Sequence, residues 1–92
     1  MTKRFIHIGV SFADRVGEPK EFDEELNGAS DWMRYAQNCW IVYTSRTPAQ
    51  WYRRLKPLLR DGDHIFVVVI DITERQGWLP SWCWDWIRKE RN

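Results

Sequence analysis

Five acidic residues stand where strands or turns are expected to end: Asp14, Asp61, Asp63, Asp71 and Glu74. Two or more carboxylates that converge on a hard divalent cation are what metal-assisted hydrolysis requires. The same residue types also serve as turn formers and helix caps, and nothing in this spacing groups them. His7 lies within an apolar alternation, which suits a packed or hydrogen-bonded ring better than a general base. His64 opens a strand and reads as exposed. The two cysteines, Cys39 and Cys83, with two distant histidines, lack the ligand spacing of a zinc site. Thr44, Ser45 and Thr47 have no histidine partner at a readable distance, so nucleophilic catalysis has no support. There is no glycine-rich phosphate loop.

Positive charge is concentrated in one place. Arg46, Arg53, Arg54, Lys56 and Arg60 follow one another closely, and Arg34 precedes them in a hairpin. Such a group can hold phosphates. The alternative is a solvated helix face that complements the acidic stretch Glu18, Glu21, Asp23, Glu24, Glu25 and Asp31. Trp32 and Tyr43 are candidate platforms for stacking single-stranded bases. The net charge of +1 argues against a protein that coats nucleic acid by bulk charge, while leaving a local basic face open.

These residues need elements to position them. Ile6, Ile8 and Val10 alternate with Phe5, His7 and Gly9, the period of a strand. A loop with Gly17 follows, and Pro19 suits the first turn of a short acidic helix with Phe22 and Leu26 on one face. Trp32–Ala36 and Cys39–Thr44 read as a hairpin turning at Gln37-Asn38. Regular pairing puts Met33 and Tyr35 opposite Val42 and Trp40 on the core side, and Trp32 and Arg34 opposite Tyr43 and Ile41 on the other. Thr47, Pro48 and Gln50 form a capping box before a helix carrying Trp51, Leu55, Leu58 and Leu59, with a bend expected at Pro57 and an end at Gly62. Ile65–Ile70 is a β-branched strand, apolar on both faces. The tail "GWLPSWCWDWIRKERN" holds four of the seven tryptophans. A helical reading places Leu79, Trp82, Cys83, Trp86 and Ile87 on one apolar arc, with Trp84 beside it.

The order β-α-β-β-α-β-α predicts a single α+β domain over residues 1–92. Its expected form is a ferredoxin-like βαββαβ sandwich with strand order 4-1-3-2 and an additional C-terminal helix. Two helices cover one face of such a sheet, so the tail is expected to act as a lid on the other. The apolar last strand falls at an edge, which favours pairing with a second copy. At 92 residues the chain needs this extra coverage, and its 15% aromatic content can supply it. The start "MTKRFIHIGV" runs straight into a strand pattern without an export signal. No apolar run approaches a membrane span, so a cytoplasmic protein with reduced thiols is expected.

The strand "FIHIGVSF", the hairpin ending "NCWIVYTS" and the helix "TPAQWYRRLKPLL" leading through "DGDHIFVVVI" resemble small CRISPR-associated nuclease-like proteins and their SinR-like relatives. The tail "GWLPSWCWDWI" is similar to the ending of small bacterial proteins of the same build. The resemblance implies a ferredoxin-like homodimer that acts through nucleic-acid or protein contacts. It also carries the alternative of a nuclease using Mg or Mn held between protomers by an aspartate at the end of the first strand. Here that position reads "VSFAD", so Asp14 is the candidate metal ligand and catalytic residue, displaced from the expected place. Outside that alternative no cofactor is expected.

Overall fold

The computed structural model describes residues 2–13 and 20–91. Asp14, the loop glycine Gly17 and the expected helix start at Pro19 lie outside the described residues. The described chain is an α+β unit with one four-stranded antiparallel sheet and three α-helices. The elements are β1 (Arg4–Ser11), α1 (Lys20–Leu26), β2 (Asp31–Ala36), β3 (Cys39–Thr44), α2 (Pro48–Leu55), β4 (His64–Ile70) and α3 (Ser81–Arg88). The sheet order is β2-β3-β1-β4, the expected order read from its other edge.

One face of the sheet packs on α1 and α2. Ile6, Ile8 and Val10 of β1 and Trp40 and Val42 of β3 meet Phe22, Leu26, Trp51 and Leu55 there, all buried. Trp40 stacks on Phe22 with centroids 5.5 Å apart, and its indole N–H donates to Asp23 Oδ1 at 2.8 Å. Trp51 donates to Thr44 Oγ1 at 3.3 Å. Both buried indoles therefore keep a hydrogen-bond partner, which removes the desolvation cost of their one polar atom.

The capping box before α2 forms as its residues require. Thr47 Oγ1 accepts from Gln50 N at 3.2 Å, and Thr47 N donates to Gln50 Oε1 at 2.8 Å. Pro57 ends the α-helix at Leu55 and leaves a single 3-10 turn, Lys56–Leu58, because proline cannot supply the next helical N–H. Gly62 then adopts φ +84°, a conformation a side chain would strain, and a Cβ there would meet Ala13 at 2.9 Å.

The hairpin differs from the expected pairing. Ala36 faces Cys39, but Arg34 faces Trp40, Met33 faces Ile41 and Trp32 faces Val42. The register shifts between Arg34 and Ala36, so Tyr35 is the extra residue of a β-bulge. A one-residue shift reverses every side chain beyond it. Met33 therefore leaves the helix-covered core for the opposite face, whereas Trp32 joins that core. Trp32 and Tyr43 end on opposite faces of the sheet and do not make one stacking platform.

The second face is closed by α3. Met33, Cys83 and Ile87 form its buried centre, with Tyr35, Ile41, Ile72, Leu79, Trp84 and Trp86 packed around them. The tail is thus a helical lid, as its pattern suggested, but with a different arc. Trp82 is half exposed and Trp84 packs inward. The centre of the arc lies between Cys83 and Ile87, so Trp84 and Trp86 flank it and Trp82 falls beyond its margin. Leu79 lies before the first turn and does not set the helix rotation. No described helix is long and apolar enough to cross a membrane.

Candidate functional site

Three features of the surface could do work: a cation held among aromatic rings, a polar pair beside an open groove, and an open sheet edge. The first is built by cross-strand geometry. Phe5 and Tyr43 are direct partners on β1 and β3, and Asp31 on β2 faces Tyr43 from the other side. All three therefore present to the face that α3 covers. Trp86 of α3 closes the group, its ring edge-on to Phe5 at 6.0 Å. Into this space reaches the guanidinium of Arg91, 4.2 Å from the Trp86 ring, 5.3 Å from Phe5 and 5.5 Å from Tyr43. Its Nη2 donates to the Trp86 carbonyl at 2.7 Å and to Asp31 Oδ2 at 3.3 Å. Lys89 also reaches Asp31, at 3.3 Å. The Arg91 side chain is only 8% exposed, and Nε is buried with no acceptor among the described residues.

Burial opposes ionisation of Asp31. The Trp86 indole N–H, the Lys89 ammonium and the Trp32 backbone N–H together outweigh it and hold the carboxyl below its ordinary value of 3.8. Trp86 Nε1 itself lies outside hydrogen-bond geometry with any described acceptor, so it acts on Asp31 as a nearby positive dipole.

The second feature is His7 and Tyr35. Tyr35 Oη and His7 Nε2 lie 2.5 Å apart. Burial, then the neighbouring Cys39 thiol, pushes the Tyr35 hydroxyl up to about 12, so it stays protonated and donates. Burial lowers the His7 pKa, and the ring accepts as a neutral imidazole. Beside this pair an open groove of about 360 Å³ is lined by Gly9, Val10, Ser11, Cys39, His64, Ile65 and Phe66. Burial raises the Cys83 thiol on the same face, which keeps it neutral.

On this face His7 and Asp31, the two groups whose pKa values are lowered, act in the same direction. A folded-state pKa below the unfolded one means that acid charges or neutralises the unfolded chain first. The stability from His7 is present above 6.5 and is lost as pH falls through its lowered folded value. That from Asp31 is present above 3.8 and is lost below it. The melting temperature is expected to fall on acidification in these two windows. Asp31→Asn should flatten the lower window and His7→Gln the upper, as calorimetry across pH would read.

The third feature is β4. It lies at an edge, and among the described residues none of its backbone groups bonds to anything but β1. Ile65–Ile70 carries no charge, and Phe66 (67%) and Val69 (44%) are exposed. The opposite edge, β2, carries Asp31, Arg34 and the bulge at Tyr35, devices that discourage strand addition.

The remaining candidate residues are dispersed. Asp63 accepts from Ala13 N and Arg60 N, each at 2.9 Å, and Asp71 from Thr73 N at 2.8 Å, so both organise turns. Asp61 and Glu74 are exposed. No three metal-ligating side chains come together among the described residues. Within the basic group, Arg54 pairs with Glu25 at 3.1 Å, and Arg34 lies 3.9 Å from Asp23. Arg46 lies over the Trp51 ring at 5.0 Å and bonds the Gly28 carbonyl at 3.3 Å. Arg53, Lys56 and Arg60 are exposed and have no ion pair among the described residues. Half of the group thus complements α1 and its flanks, and the other half faces solvent. Trp32 is tied to Asn27 Oδ1 at 3.0 Å, and Tyr43 lies under Lys3 and Arg91.

Sequence reasoning missed Arg91 and Asp31 as a unit. They are sixty positions apart, and each looked ordinary alone, a basic residue after a helix and one member of an acidic stretch. Comparison with protein-family models, curated proteins and solved structures finds no match to this chain.

Proposed function

We propose that this chain is a ferredoxin-like interaction domain that works as a homodimer, joined through β4, and acts by contact rather than by catalysis. The observation that carries the reading is the uncharged, unpaired edge of β4 set against the protected edge of β2. An edge strand without charges, proline or a bulge is a template for another strand. A second β4 complements it well, because an apolar strand turned antiparallel meets apolar residues at every position. The exposed Phe66 and Val69 would be covered in the same step. The element order and sheet order support the ferredoxin-like description, and a dimer is also what the resemblance of the sequence pattern to small CRISPR-associated and SinR-like proteins implies.

Sedimentation of the purified chain at micromolar concentration is expected to give twice the chain mass. Replacing Phe66 and Val69 together by lysine should return a folded monomer, since both side chains are exposed and contribute little to the core. A wild-type monomer at every concentration would overturn the proposal.

A further inference from the structure

The ring cluster around Arg91 has the chemistry of a binding site already filled. Three aromatic faces lie within cation–π range of one guanidinium, at 4.2, 5.3 and 5.5 Å, with a carboxylate and a backbone carbonyl accepting from its edge. A flat, weakly hydrated cation with donors around its rim is what such a box recognises. We infer that Phe5, Tyr43, Trp86 and Asp31 form a guanidinium-binding site whose resident ligand is Arg91, and that the site accepts a guanidinium from another molecule once Arg91 is withdrawn.

The walls do not depend on the occupant. Phe5, Tyr43 and Asp31 are fixed by the β1-β3-β2 ladders, and Trp86 is carried by a helix anchored through buried Cys83 and Ile87. The site is therefore preorganised, which lowers the cost of filling it with a separate ligand. Arg91, in contrast, is borne on the irregular stretch 89–91, with its Nε buried and unmatched. A free guanidinium is not tethered at that nitrogen and can turn to match its donors. This inference is independent of the dimer reading, because the site lies on β1, β2, β3 and α3 rather than on β4.

The test is chemical rescue of the full chain carrying Arg91→Ala. Its melting temperature should fall relative to wild type. Methylguanidinium should restore it saturably, by at least about 5 °C at ten times the dissociation constant. Urea, a neutral shape mimic, should not. Wild type should not respond at the same concentrations, and Arg91→Ala combined with Asp31→Asn should lose the response. A capped Gly-Arg-Gly peptide separates two sources of the same chemistry. Binding tighter than methylguanidinium marks a polypeptide arginine as the ligand, and weaker binding marks a small guanidino compound. Should Arg91→Ala show no cooperative transition, Arg91→Lys, which keeps the charge without the fork, is titrated instead. Equal responses to methylguanidinium and urea, a response indifferent to Asp31, or no response in either variant would overturn the inference.

Discussion

Deleting residues 78–92 is expected to abolish cooperative folding or to lower the melting temperature by tens of degrees. The deletion removes α3 and with it the helical cover of the second sheet face. Met33, now 3% exposed, would open to water with Ile41, Tyr35 and Phe5, while the buried contacts of Cys83 and Ile87 would vanish. Each fully buried side chain of this size contributes ~1.5–3 kcal/mol. Against the ~5–15 kcal/mol total of a small domain, losing several leaves little margin. Arg91 leaves too, so Asp31 loses its guanidinium partner. Thermal unfolding followed by circular dichroism reads the result. A truncated chain that melts within a few degrees of wild type would show that the second face needs no lid.

Among single substitutions, Trp40→Ala is expected to cost most. Its ring is fully buried, stacks on Phe22 and bonds Asp23, so truncation leaves both a cavity and an acceptor without its donor. A loss of ~3–5 kcal/mol follows, or roughly 15–30 °C in a domain of this length. The tail tryptophans should form a descending series. Trp86→Ala removes the wall shared by Phe5 and Arg91, and Trp84→Ala removes a ring packed on the second core. Trp82→Ala, with half of its surface already in water, should cost much less. Trp78→Ala, wholly exposed, should stay within ~0.5 kcal/mol of wild type. Melting temperatures of the five variants decide the order, and a Trp82→Ala as damaging as Trp86→Ala would contradict the helix rotation described above.

The parts of the fold that were legible are those set by local chemistry. Ile6, Ile8 and Val10 alternate against water, Thr47 and Gln50 cap each other, and Pro57 lacks an N–H. Each of these decides its own neighbourhood without reference to the rest of the chain. The face assignment of β2 was not legible, because it turns on a bulge at Tyr35 that no local signal marks. Met33 and Trp32 are both apolar, so either register buries a plausible set. The same applies to α3, where four tryptophans in nine residues leave the buried arc underdetermined until the sheet face beneath it is known. The Arg91 site was invisible for a related reason: its members come from four elements and meet only through tertiary packing. The edge position of β4, by contrast, was readable from the expected strand order, and its lack of protection from composition, since Ile65–Ile70 contains nothing that would repel another strand.

The most direct test of the central claim is amide hydrogen exchange along β4 as a function of protein concentration. Antiparallel pairing leaves the amides of alternate residues of His64–Ile70 pointing away from β1. If β4 joins two copies, these outward amides should exchange freely at low concentration and slow as concentration rises through the dimerisation range. The inward amides should stay protected throughout, and the Phe66 and Val69 lysine double variant should lose the concentration dependence. Outward amides that exchange at one fast rate at every concentration would contradict pairing through this edge.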